Sequence, residues 1–145
     1  MKRKKTLLEE AIEIAVVSHS GQKDKGGSPY ILHPLRLLMK MDNEQEMIVA
    51  VLHDVVEDTA QTLDDLKAKG FPDRVIDAIK HLTRMKRESY ARFIERIKED
   101  PIAVRVKIAD LEDNMDIKRL KMLTSTEIKR LNKYRKARKH LLSSQ

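Results

Sequence analysis

Cysteine and tryptophan are absent from the 145-residue sequence, and Phe and Tyr make up the 3% of residues that are aromatic. Without cysteine the chain can have no disulfide, thiolate-bound zinc or cysteine nucleophile, a composition typical of cytoplasmic proteins. With so few aromatic rings, the core must be assembled from Leu, Ile, Val, Ala and Met, which suit packing between helices.

The sequence also lacks a long apolar run. No segment approaches the roughly 20 apolar residues that a membrane-spanning helix needs. Met1–Lys5 is basic, and the residues after it alternate between acidic and apolar types, unlike the apolar region of a secretory signal. The sequence therefore predicts a cytoplasmic protein with no membrane partner.

Repeats, low-complexity segments and linker-like stretches are likewise missing, and 145 residues is an ordinary length for one domain. Apolar residues recur at helical spacing along most of the chain. Residues 102–110 are rich in β-branched types, but no second strand exists to pair with them. We therefore predict one all-α domain over residues 1–145. It would be a compact helical bundle with a motif-bearing core at about 8–120 and a basic helix at about 125–142.

Several helix ends are marked by local signals. Thr6 with Glu9 forms the pattern of a capping box, and Asp100 followed by Pro101 is typical of a helix start. Gly70 is expected to end a short helix that precedes it, as glycine often does. These signals predict three helix boundaries.

The net charge of +7 is unevenly distributed. Residues 2–5 contribute +4 and residues 118–139 contribute +9, so residues 6–117 carry −6. A basic C-terminal segment could bind RNA or an acidic partner, or attract an anionic substrate. Only Tyr134 is interleaved there for base stacking, so a solvated helix face is favoured over nucleic-acid binding.

Leu52–Thr59 concentrates the chemically informative residues. After an apolar lead-in, it contains a histidine and three carboxylates: His53, Asp54, Glu57 and Asp58. We predict one helix from Glu44 to about Glu57, which would stack side chains four residues apart. Carboxylates beside an apolar segment repel one another and lose hydration, and a divalent cation would relieve both penalties. A solvated acidic helix end is the alternative, and these residues alone leave both open.

Further ligands must come from other segments. His33 precedes Pro34 at a loop-to-helix junction, from which its side chain can project into a cleft. Asp110 follows an apolar run and is expected on the core side of its helix. Together with His53 and Asp54 they would form a sulfur-free set of two histidines and two carboxylates, suited to Mn²⁺, Fe²⁺ or Co²⁺. Four protein ligands leave room for water or phosphate oxygens, as in a catalytic metal site.

Three segments, in this order, resemble the HD metal-dependent phosphohydrolase superfamily. The segments are 26–34, 52–59 and 106–110 with Asn114. More narrowly, the chain is similar to the hydrolase domain of Rel/SpoT alarmone enzymes and to small alarmone hydrolases. The likeness covers about residues 8–120. A bare His-Asp pair is a weak signal, whereas His-Asp-x-x-Glu-Asp-Thr with both flanking motifs is specific.

This resemblance implies a reaction and a set of roles. One Mn²⁺ would be held by His33, His53, Asp54 and Asp110, and the attacking water would be positioned or deprotonated by Glu57 and Asp58. The implied reaction removes the 3′-pyrophosphate from (p)ppGpp and yields GDP or GTP. The implied partner is therefore a small-molecule nucleotide. Lys25 and Lys107 are candidates for neutralising phosphate charge, and Asn114 matches a family position near the nucleoside.

The sequence departs from the family pattern around the predicted substrate. Asp24 stands where many members have an arginine, and the usual Arg, His and Arg after the metal aspartate are replaced by Leu111, Asp113 and Asp116. One alternative is therefore an HD-type hydrolase of another nucleotide, such as an adenine alarmone or NADPH. A second alternative is a non-catalytic regulator that binds nucleotides or RNA. The oligomeric state stays open.

Overall fold

A computed structural model describes residues 3–145, so Met1 and Lys2 of the basic N-terminal run lie outside the described residues. The described part contains nine α-helices, a short 3₁₀ helix and no strand, apart from an isolated bridge between Lys23 and Pro29. The prediction of an all-α fold is confirmed. The helices are α1 (Leu7–Ser18), α2 (Leu32–Met39), α3 (Glu44–Leu52), α4 (Val55–Asp58), α5 (Leu63–Ala68), α6 (Asp73–Leu82), α7 (Tyr90–Ile97), α8 (Pro101–Asn114) and α9 (Ser125–Leu142), with the 3₁₀ helix at Ile117–Arg119 between α8 and α9.

The predicted helix boundaries are confirmed by their caps. Thr6 and Glu9 form the capping box of α1, in which each side chain bonds the other residue's amide. The Asp100 carboxylate accepts hydrogen bonds from the first amides of α8, and Pro101 opens that helix. Gly70, with a φ of +94°, follows α5 in the left-handed conformation that favours glycine.

Helix α3 lies at the centre of the bundle. Its residues 48–52 are all buried, and it packs against α1, α2, α6 and α8. Helix α8 also packs against α2 and α6, and α9 packs on α8 with Ala137 and Leu141 buried. None of the described helices is long and apolar enough to cross a membrane.

The prediction of one continuous helix from Glu44 to about Glu57 is wrong. Helix α3 ends at Leu52, and α4 starts three residues later. In a continuous helix the Ala50 carbonyl would accept a hydrogen bond from the Asp54 amide. Here it is bonded by Nδ1 of His53, at 2.7 Å, and this side chain-to-backbone bond competes with the helix. The break places His53 and Asp54 at a turn on the protein core.

Candidate metal centre and adjoining pocket

The four predicted metal ligands converge from three elements. His33 comes from the first turn of α2, His53 and Asp54 from the turn between α3 and α4, and Asp110 from α8. One potential ligand atom from each of these residues lies within 4.8 Å of the other three. We call these four side chains the metal cluster.

Both histidines of the metal cluster are oriented by a partner outside it. Nδ1 of His33 lies 2.6 Å from the Asp113 carboxylate, and Nδ1 of His53 bonds the Ala50 carbonyl. Nε2 of His33 is 2.8 Å from Asp110, and Nε2 of His53 is 2.9 Å from Asp54. Each ring thus directs Nε2 into the cluster while its other nitrogen is held.

The donor set fits a divalent metal ion. Within the described residues, Nε2 of His53 is buried and has no hydrogen-bond partner, although it faces two carboxylates. With Nδ1 donating to a carbonyl, a neutral His53 would direct an Nε2 lone pair at the anionic Asp54 and Asp110, which is unfavourable. A cation bound among these four atoms would remove that repulsion. Two imidazole nitrogens with carboxylate oxygens suit a borderline divalent ion.

Neighbouring groups offset the burial of these charges. Burial favours the neutral form of Asp110, but the Lys107 ammonium, 2.9 Å away, and both histidines hold its pKa well below the ordinary value. Burial likewise disfavours protonated His53, yet the carboxylates of Asp54 and Asp110 raise its pKa well above the usual value. The hydroxyl of Tyr30 donates to Asp54. The cluster therefore keeps its carboxylates ionised, and a bound metal ion would take the place of the proton on Nε2 of His53.

Glu57 and Asp58 are exposed residues of α4, the helix that directly follows Asp54. Partial loss of hydration raises the pKa of both carboxyl groups, and the charge of Asp54 adds to the effect. The Arg84 amide donates to Oε1 of Glu57 at 3.0 Å. A raised carboxyl pKa improves proton transfer to a general base near neutral pH.

A cavity of about 230 Å³ lies beside the metal cluster. It is bounded by the loop before α2, the end of α8, the 3₁₀ helix and α9, and its lining includes Lys23, Asp24, Lys25, Tyr30, Asn114, Arg119, Glu127, Arg130 and Tyr134. Several cationic side chains face it together with two tyrosine rings. Such a lining can bind an anionic ligand that also carries an aromatic base.

The three predicted substrate-binding residues have different surroundings. Lys25 lines the cavity, where its ammonium is 3.3 Å from the Glu127 carboxylate. Asn114 also lines the cavity, and its amide nitrogen donates to Asp110 at 3.1 Å. Lys107 is buried against Asp110, with its ammonium 5.2 Å from the centre of the Phe93 ring. The structure brings Lys25 and Asn114 to the cavity, and it brings Lys107 to the metal cluster.

Sequence reasoning did not identify three residues that connect the cavity to the cluster. Tyr30 bonds Asp54, while Arg119 lies between Asp24 and Asp113, with nitrogen-to-oxygen distances of 3.5 Å and 3.0 Å. Asp113 stood out only as a departure from the family pattern. Its position three residues after Asp110, on the same face of α8, was the one available signal. Arg119 offered none, because it reaches the site through the 3₁₀ turn.

Residues 11–126 match the sequence model of the family described as "HD domain". The chain belongs to the HD domain family. Among curated relatives, this HD domain is 35% identical over 121 residues to the guanosine-3′,5′-bis(diphosphate) 3′-pyrophosphohydrolase of Aquifex aeolicus, covering 74% of this chain and 17% of that one. It is 33% identical to the GTP pyrophosphokinase of Streptomyces coelicolor, covering 92% and 16%. The chain thus spans about a sixth of the length of these relatives.

A solved structure supports the same fold. It belongs to a metazoan orthologue of SpoT, described as hydrolysing ppGpp and acting in starvation responses. The two structures superpose with a TM-score of 0.79 and 22% sequence identity, over 98% of this chain and 88% of the other. The helical arrangement is therefore that of the metazoan protein.

Proposed function

We propose that this HD domain is a Mn²⁺-dependent phosphohydrolase that removes the 3′-pyrophosphate from (p)ppGpp in the cytoplasm, giving GDP or GTP. The observation that carries the proposal is the convergence of His33, His53, Asp54 and Asp110 beside a cavity lined by four cationic and two acidic side chains. The activities named for the Aquifex aeolicus and metazoan relatives support the choice of substrate.

The proposed mechanism divides the work among neighbouring side chains. The four residues of the metal cluster would hold the ion, which when bound acidifies water and neutralises phosphate charge. Glu57 and Asp58 position the attacking water and accept its proton, and the Arg84 amide fixes Glu57 for that task. Tyr30 and Asn114 orient the carboxylates of the cluster through their hydrogen bonds.

The cavity lining is consistent with a guanine nucleotide. Lys25 and Arg130 supply positive charge for phosphates, and the Tyr134 ring offers a face for stacking. Asp24 contributes a carboxylate, which can only accept hydrogen bonds. Guanine presents two adjacent N–H donors on its pairing edge, and adenine presents one amino group beside an acceptor. A lone pair of the Asp24 carboxylate that is not used by the Ser28 amide or Arg119 would therefore favour guanine.

We also propose that the chain works as one domain over residues 1–145. Helix α9 packs on α8 and supplies Arg130 and Tyr134 to the cavity wall. The basic C-terminal helix would then be part of the substrate site.

The test is pyrophosphate release from ppGpp by the purified protein with Mn²⁺. We expect turnover by the wild type, and a loss of about 100-fold or more in Glu57→Gln, because a positioned general base contributes roughly 10²–10⁴ in rate. Asp54→Asn should lose activity together with metal binding. Glu44→Gln, a matched change at an exposed glutamate of α3, should behave as the wild type.

The failing outcomes are distinct. If ppGpp is stable while an adenine alarmone or NADPH is hydrolysed, the reaction type survives and the substrate is wrong. If no nucleotide is hydrolysed and the protein binds RNA in a salt-sensitive way, the chain is a regulator instead.

A further inference from the structure

Asp113 lies behind the metal cluster, in contact with one of its histidines. It is on α8, one turn after Asp110, and its side chain is 5% exposed. Oδ2 of Asp113 is 2.6 Å from Nδ1 of His33, while Oδ1 of Asp110 is 2.8 Å from Nε2 of the same ring. The His33 imidazole is thus held at both nitrogens by carboxylates on one face of α8, and Asp113 is the one of the two that is not among the four candidate ligands.

Asp113 is itself held by two arginines. Arg36, one turn after His33 on α2, donates from Nε to Oδ1 at 2.8 Å and from Nη2 to Oδ2 at 3.0 Å. Nη1 of Arg119 is also 3.0 Å from Oδ2. These two guanidinium groups compensate the burial of the Asp113 carboxylate and hold it in a fixed orientation.

We propose that Asp113 is a positioning residue that keeps Nδ1 of His33 protonated, so that Nε2 is free to bind the metal ion. This inference rests on the proposed function. A carboxylate that accepts the other ring proton of a metal-ligating histidine fixes its tautomer and orientation and raises its basicity. His53 obtains the same help from the Ala50 carbonyl, a backbone group, so only His33 depends on a replaceable side chain.

The arrangement also accounts for two departures from the family pattern together. Asp24 and Asp113 are extra carboxylates, and a single guanidinium, that of Arg119, lies between them. Arg119 further donates to the Asn114 side chain at 3.0 Å and lines the cavity. Arg119 and Arg36 together compensate these two acids, and Arg119 contacts both the cavity wall and the partner of His33.

The first experiment measures Mn²⁺ affinity without nucleotide, by competition with a chromophoric chelator. We expect Asp113→Asn, a nearly isosteric change, to weaken Mn²⁺ binding about 10- to 100-fold, the usual effect of losing such a partner. Glu112→Gln is the matched control, because it changes the adjacent residue, whose carboxylate pairs with Arg138 at the surface. Its affinity should equal that of the wild type.

A second readout separates positioning from a general loss of structure. In ¹⁵N-labelled protein loaded with Zn²⁺, the Nδ1–H proton of His33 should resonate far downfield because it is bonded to a carboxylate. It should move upfield in Asp113→Asn, where the acceptor is a neutral amide, and stay in place in Glu112→Gln. If Asp113→Asn fails to fold, Arg36→Gln, which removes the guanidinium that makes two hydrogen bonds to Asp113, should shift the same resonance and weaken Mn²⁺ binding to a smaller extent.

The outcomes distinguish this inference from the function on which it rests. Equal Mn²⁺ affinity and an unchanged His33 resonance in a folded Asp113→Asn variant would overturn the positioning role and leave the proposed function standing. If Asp113→Asn does not fold, the same two results in Arg36→Gln would overturn it. A wild-type protein that binds no divalent metal would overturn both.

Discussion

At the scale of single residues, the metal cluster depends on side chains that balance its charge. Lys107 shows this most directly, since its ammonium is buried and bonded to Asp110. Burial of an ammonium is costly unless a counter-charge compensates it, and here the Asp110 carboxylate raises the pKa of Lys107 above the ordinary value. A role for Lys107 toward the substrate phosphate stays a prediction. Any such role would have to share this cation with Asp110.

Gly26 lies so close to the 3₁₀ helix that a substitution there tests the role of the cavity. A Cβ at this position would lie 2.3 Å from the carbonyl oxygen of Arg119, so Gly26→Ala must move the loop away from the 3₁₀ helix. Asp24 and Lys25 would move with it. We expect kcat/KM for ppGpp to fall roughly 10- to 100-fold, since displacements of about 1 Å near a substrate have effects of this size.

The control for Gly26→Ala is Gly70→Ala. Among the described residues, no atom lies within 4 Å of a Cβ placed at Gly70, but the φ of +94° at this position is unfavourable for alanine. This variant should lose about 1 kcal/mol of stability and keep its kcat/KM. Equal losses of activity in both variants would show that destabilisation, not displacement of the loop, is responsible.

The metal-ligating candidates were accessible from sequence because each lies in a motif of a few residues. Their partners were not, because the contacts are distant along the chain. His33 and Asp113 are 80 positions apart, and Lys25 reaches Glu127 across 102. No local pattern specifies such pairs, which depend on how α2, α8 and α9 pack. Asp113 is the intermediate case, since helical spacing from Asp110 places it on the same face.

At the scale of elements, capping residues predicted the helix boundaries better than the periodicity of apolar residues did. The ends of α1 and α8 follow from hydrogen bonds between neighbouring residues. The prediction of a continuous helix through His53 failed because α3 is apolar on every face near its end, and no residue type there indicates where the helix stops. The end is set by the His53 side chain, which bonds a backbone carbonyl and leaves its Nε2 in the metal cluster. The helical pattern is therefore interrupted at the metal cluster itself.

The connection between α6 and α7 provides a pH-dependent test of stability. Glu88 accepts hydrogen bonds from Nε and Nη2 of Arg96, at 2.8 Å and 2.9 Å, and its side chain is 7% exposed. The bonded guanidinium lowers the pKa of Glu88 from 4.5 to about 2. Because the pKa is lower in the folded state, the stabilisation is complete above about pH 4.5 and is lost as the pH falls toward 2.

We therefore expect Glu88→Gln to lower the free energy of unfolding by about 1–3 kcal/mol at pH 7. The difference from the wild type should shrink as the pH falls toward 3, as measured by urea denaturation. Glu99→Gln is the control, because that side chain is 72% exposed and should show little effect at either pH. A difference for Glu88→Gln that is the same at pH 7 and pH 3 would contradict the assignment.

At the scale of the whole molecule, the metal cluster ties together parts of the chain that are distant in sequence. One ligand lies on α2, two lie at the α3–α4 turn and one lies on α8, and these elements also surround the hydrophobic core. An unfolded chain cannot bring the four donors together, so binding should favour the folded state. Metal affinity should therefore appear as thermal stability.

Thermal unfolding with and without Mn²⁺ measures this coupling. At a free Mn²⁺ concentration about 100 times Kd, binding adds about 2.7 kcal/mol. For a domain of this size, that gain corresponds to a rise in Tm of roughly 5–10 °C, which a chelator should reverse. Asp54→Asn should abolish the rise, whereas Asp64→Asn, at an exposed aspartate of α5, should retain it. If Mn²⁺ raises the Tm of Asp54→Asn as much as that of the wild type, the ion binds elsewhere. The four converging side chains would then form a charged cluster without a metal, and their repulsion would have to be relieved by protonation of the histidines.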